Sequence, residues 1–136
     1  KTSYQGREIT LYITKVNDRL EQRSNKNFYR DALVIKYIVK NSSGVTLQDT
    51  QNNNIPSIEL FSTRIRSYDN SVIFYYSGTN CGVGWGDVFL KKINANQISW
   101  LYKPDDMIIT PSKCPGNPDL TIYLPETENP LIFTKQ

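Results

Sequence analysis

Ser71-Val-Ile-Phe-Tyr-Tyr-Ser77 and Asp87-Val-Phe-Leu-Lys-Lys-Ile93 stand on either side of Cys81-Gly-Val-Gly-Trp-Gly-Asp87. Both flanks are built from the branched and aromatic residues that suit a pleated, half-buried surface, so each predicts a strand. The glycine-rich stretch between them predicts a turn. Trp85, set between Gly84 and Gly86, rides on a backbone with few steric limits, and its ring can face outward or fold back over the loop.

Working outward, the same pattern recurs. Glu8 to Val16 alternates Ile9, Leu11 and Ile13 with Thr10, Tyr12 and Thr14, the period of two of a half-buried strand. Phe28 to Lys40 is the longest strand candidate, with Leu33, Ile35, Tyr37 and Val39 on one face and Ala32, Val34 and Ile38 on the other. Apolar residues on both faces predict a central strand. Asn41-Ser-Ser-Gly44 supplies turn chemistry, and Val45 to Asp49 returns as a hairpin arm. Gln97 to Lys103 follows Asn94-Ala-Asn96 as the second arm of another hairpin.

Two stretches read less regularly. Asn17 to Asn27 is polar and charged, with Leu20 its one anchor, and is expected to be a loop or at most one helical turn capped by Asn17. Ile58 to Arg66 fits a strand face through Phe61 and Ile65, although the same residues also fit helical spacing after Pro56. Met107–Thr110, Leu120–Leu124 and Leu131–Thr134 are short apolar runs divided by prolines, and predict short strands and ordered loops. The expected fold is all-β: one domain over residues 1–136, an antiparallel sandwich or barrel of eight to ten strands, with one disulfide and at most one short helix.

Composition narrows the chemistry. The sequence holds no histidine, which excludes Ser-His-Asp and Cys-His nucleophilic sites, histidine bases and His-ligated metals within this chain. Cys81 and Cys114 cannot build a four-thiolate metal site, and are expected to form a disulfide, since both lie in Gly/Pro-rich turns with no other cysteine to mispair with. Reduced, inert thiols are the alternative. A net charge of +3 from 16 basic and 13 acidic residues does not demand a nucleic acid or an anionic membrane. No apolar run approaches the roughly 20 residues that span a bilayer as a helix. With a first residue that is not methionine, these features lead us to expect a periplasmic or extracellular domain whose leader has been removed.

The aromatic residues Tyr75, Tyr76, Trp85 and Tyr102, with Asp87 as a polar companion, are the candidate contact residues. Trp100 shares a strand face with Tyr102 and is expected in the core. Gly82-Val-Gly84-Trp-Gly86 lacks the Lys-Ser/Thr and the helix that a phosphate loop needs. Asp105, Asp106 and Asp119 match no calcium-loop spacing; with Glu126 and Glu128 they are the carboxylates available for glycoside hydrolysis. The expected function is therefore non-enzymatic: binding of a protein partner through exposed loops, as an inhibitor, immunity or envelope-accessory factor, with no metal, cofactor or nucleic acid and no membrane insertion. A carbohydrate-binding module using exposed aromatics and a carboxylate-dependent hydrolase are the alternatives.

Overall fold

A computed structural model of the chain describes residues 1–23, 26–53, 57–105 and 112–136. Nine strands occur among them: β1 (Thr2–Tyr4), β2 (Arg7–Arg23), β3 (Lys26–Lys40), β4 (Thr46–Asp49), β5 (Leu60–Arg66), β6 (Ser71–Tyr76), β7 (Gly86–Asn94), β8 (Gln97–Pro104) and β9 (Leu131–Thr134). A single 3-10 turn, Asn80–Gly82, interrupts them. All pairings are antiparallel, in the order β1-β2-β3-β5-β6-β7-β8-β9, with β4 paired to β3 beside that path. The sheet curls nearly to closure. Across the seam, the Thr134 N–H donates to the Lys1 carbonyl at 2.9 Å and the Lys1 amino group donates to the Thr134 carbonyl at 2.6 Å.

The alternation of β2 and β3 decides which side chains enter the barrel. Ile9 stands opposite Val39 and Leu11 opposite Tyr37, and this face turns inward to meet Phe74, Tyr76, Val88 and Trp100 from the far wall. On its other edge β3 meets β5 at one registered pair, Val34 with Phe61. Polar side chains satisfy backbone donors of β3 that the ladder leaves over: at the β5 junction the Leu33 N–H donates to Ser62 Oγ, and just past β4 the Tyr37 N–H donates to Thr50 Oγ1, both at 2.8 Å.

Asn17 to Asn27 is not a loop. β2 and β3 run on as a two-stranded arm, paired to Arg23 and Lys26, because side-chain contacts across the arm and to β5 hold it. Arg30 Nε lies 2.8 Å from Glu21 on the neighbouring strand, and the Arg19 guanidinium sits 3.6 Å over the Phe61 ring. A bulge between Val16 and Arg19 absorbs one extra residue, with Asp18 at φ 54°, a left-handed geometry that aspartate tolerates. The strand reading holds for Leu60–Arg66.

Leu120–Leu124, expected as a strand, pairs with none among the described residues. The segment 112–130 instead crosses one end of the barrel as a plug. Leu124 and Pro125 are buried, and the Trp100 indole N–H donates to the Pro125 carbonyl at 2.9 Å. Its side chains fill the barrel end, and its prolines supply no ladder donors. Met107–Thr110 lies outside the described residues. The expected disulfide ties the plug down: Cys81 and Cys114 are bonded, with Cα atoms 5.7 Å apart. No helix among the described residues is long and apolar enough to cross a membrane.

Candidate functional site: the Cys81 loop and its outer face

Residues 77–85 connect β6 to β7 at the plugged end. The loop folds on itself through hydrogen bonds from the Thr79 N–H to the Val83 carbonyl (2.8 Å) and from the Gly82 N–H to the Thr79 carbonyl (3.1 Å). Two glycines are required by this packing. A Cβ on Gly78 (φ +87°) would lie 2.5 Å from the Gly82 backbone, and one on Gly84 (φ +82°) would lie 2.7 Å from the Tyr102 hydroxyl.

Three tethers then fix the loop to the body. The disulfide reaches Cys114 in the plug, the Asn80 amide donates to the Asp119 carbonyl at 2.7 Å, and the Asp105 N–H donates to the Trp85 carbonyl at 2.8 Å. Beneath it, the Tyr102 hydroxyl donates to the Gly84 carbonyl. Held in this way, Trp85 keeps 38% of its surface exposed.

The five expected contact residues divide into two groups. Asp87, exposed, pairs across the strands with Tyr75 on one side and Lys103 on the other, so Asp87 and Tyr75 share the outer face of the sheet, and Asp87 follows Trp85 by two residues in the chain. Tyr76 and Tyr102 lie elsewhere, in the core at 0% and 1% exposure, where no partner can touch them. Their rings meet edge to face with centroids 5.6 Å apart, and the Tyr76 hydroxyl lies 3.3 Å from that of Tyr37, which donates to Gln48 Oε1 at 2.7 Å. Burial pushes all three hydroxyls above the ordinary tyrosine range, so they act as neutral donors. Tyr102 is thus a positioning residue for the loop.

Three neighbours complete the outer face. Phe61 packs against Tyr75 with ring centroids 5.5 Å apart, Phe89 lies under Arg66 (4.7 Å) and Lys103 (5.8 Å), and Arg19 caps Phe61. Phe61 follows the same alternation as its neighbours, but its place beside Tyr75 depends on a register that sequence does not reveal.

This geometry bears on the competing chemistries. A sugar ring needs open, similarly oriented aromatic faces, whereas the Phe61 and Tyr75 planes are inclined by 56° and cations occupy the Phe61 and Phe89 rings. Asp119 accepts from the Thr121 N–H (3.0 Å) and the Tyr123 hydroxyl (2.5 Å); these bonds hold its carboxyl below the usual range, the reverse of what a general acid requires. Among the described residues no three His, Cys, Asp or Glu side chains gather as a metal site. On the loop's other flank, Gln48, Thr79, Asn80 and Tyr123 line a polar recess of about 330 Å3. The chain matches no protein-family model, no curated protein and no solved structure.

Proposed function

We propose that this is a non-enzymatic binding domain of an oxidising compartment, periplasmic or extracellular, that docks a protein partner through the Cys81 loop. One observation carries the reading: a half-exposed indole is held on a loop already fixed by a disulfide, close glycine packing and a buried tyrosine. Preorganisation of this kind lowers the entropy lost on docking, and tryptophan is among the residues that most often dominate interface energetics. Trp85 is the anchor, with Asp87, Tyr75 and Lys103 as the polar and aromatic surround. An inhibitor, an immunity factor or an envelope accessory fits such a scaffold, in which a rigid barrel presents one stiff loop.

The test is capture of a partner from the host's extracytoplasmic fraction, followed by titration of that partner against wild type and Trp85→Ala. Loss of an anchoring tryptophan weakens binding by roughly 30-fold or more. The melting temperature should stay near wild type, because the indole contributes to the surface and the core tryptophan is Trp100. A partner bound with unchanged affinity by Trp85→Ala would show that the loop is not the site.

A further inference from the structure

The outer face of β5–β8 carries a charge pattern that the Cys81 loop does not explain. These four strands hold one acid, Asp87, against five cations, Arg64, Arg66, Lys91, Lys92 and Lys103. The register sorts them. Arg64 stands opposite Ile73, Ile73 opposite Phe89 and Phe89 opposite Leu101, so Arg64 and Phe89 share one face, and alternation puts Arg66, Lys91 and Lys103 on it beside Asp87. Lys92 alone falls on the opposite face.

Two of these cations rest on rings. The Arg66 guanidinium lies 4.6 Å from the centre of the Tyr68 ring and 4.7 Å from that of Phe89, and the Lys103 ammonium lies 5.8 Å from Phe89. A cation settled in this way has less side-chain freedom left to lose on docking. Arg66 is already matched by Asp69 at 2.7 Å. Arg64, Lys91 and Lys103 are exposed and have no ion pair among the described residues, although Lys103 stands opposite Asp87. Arg64 and Lys103 lie three strands apart, roughly 14 Å at ordinary strand spacing, a span that an extended chain covers in about four residues.

Such a face attracts an anionic chain, and its rings decide which kind. A nucleic-acid strand needs open rings for its bases, whereas here cations cover Phe61 and Phe89 and the Phe61 and Tyr75 planes are inclined by 56°. Carboxylates need only the cations. We propose that the protein partner presents an acidic polypeptide segment to the outer face of β5–β8, where Arg64, Lys91 and Lys103 receive its carboxylates. The inference rests on the proposed docking of a protein at the Cys81 loop and adds the chemistry of that partner's surface. Charge complementarity of this kind speeds encounter and fixes orientation, and the affinity stays with the anchor.

A dye-labelled octaglutamate peptide tests the face without the partner in hand. Binding is read by fluorescence anisotropy at about 50 mM salt, where surface charges are only partly screened. The peptide should bind where octaglutamine does not. Arg64→Glu combined with Lys91→Glu should weaken it about tenfold or more, whereas Lys92→Glu combined with Lys135→Glu, the same change in net charge away from this face, should weaken it no more than about twofold. All four positions are exposed, so melting temperatures should stay near wild type. Trp85→Ala should leave the peptide bound, so failure of the loop as anchor and failure of this face are read in different experiments. No binding of octaglutamate at millimolar concentration would overturn the proposal, as would equal weakening by the two double variants. Loss of the peptide in Trp85→Ala would place it on the loop and overturn it too. An eight-nucleotide oligothymidylate bound more tightly than the peptide, with the same dependence on Arg64 and Lys91, would assign the face to nucleic acid and likewise overturn it.

Discussion

Removal of the Cys81–Cys114 bridge should lower stability through the unfolded state while leaving the native loop in place. The two cysteines are 33 residues apart. Loop-closure entropy for a ring of that size is about 12.5 cal/mol/K, or ~3.7 kcal/mol at room temperature. For a domain of this length the loss corresponds to a fall of roughly 10 to 15 °C in melting temperature. The variant should be Cys81→Ser with Cys114→Ala, because Cys114 is buried and a serine hydroxyl there would add about 1 to 3 kcal/mol of desolvation. Urea unfolding followed by far-UV circular dichroism gives the free energy. The slope against urea should rise as well, since the unfolded chain becomes more expanded without its cross-link. Native-state Trp85 emission should change little, because the Thr79–Val83, Asp105–Trp85 and Tyr102–Gly84 hydrogen bonds remain. A loss below about 1 kcal/mol with an unchanged slope would refute the entropic reasoning. It would mean that the plug and loop already associate in the unfolded chain.

Alkaline pH should unfold the protein through its buried tyrosines. Burial raises the hydroxyls of Tyr37, Tyr76 and Tyr102 in the folded state, whereas in the unfolded chain they ionise near pH 10, so their contribution is fully present below that pH and is lost above it. Each contributes a slope of about −1.4 kcal/mol per pH unit there, and a urea midpoint that stays flat between about pH 9 and 11 would contradict the assignment. Gly84→Ala should cost about 2 to 4 kcal/mol, from the left-handed backbone and the clash with the Tyr102 hydroxyl and Ile122, against about 1 kcal/mol for Gly116→Ala, whose φ is also positive but whose surroundings are open. Equal melting temperatures for the two variants would show that the loop is not closely packed.

Much of the fold is legible in the residues because its strands announce themselves locally. The alternation of Phe28–Lys40 and the paired runs around the Cys81 loop needed no tertiary information, and the cysteine pair had one possible connection. The arm from Asn17 to Asn27 was hidden for the opposite reason. Its own residues are poor strand formers, and it exists because Arg30 finds Glu21 and Arg19 finds Phe61, contacts that composition does not display. Tyr102 is a different case. Its shared face with Trp100 is visible in sequence, so once Trp100 belongs to the core Tyr102 belongs there too, and Tyr76 follows by sharing a face with Phe74. The register that sets Asp87 between Tyr75 and Lys103 depends on strand order.

The plug gives the two ends of the barrel different characters. Closure between the first and last strands rests on the Lys1–Thr134 pair. On one side of that pair, the plug, the disulfide and the Cys81 loop fill the barrel and leave a rigid surface. On the proposed reading, a partner docking there would meet an anchor whose conformation is already set, and the entropy lost would be mainly its own.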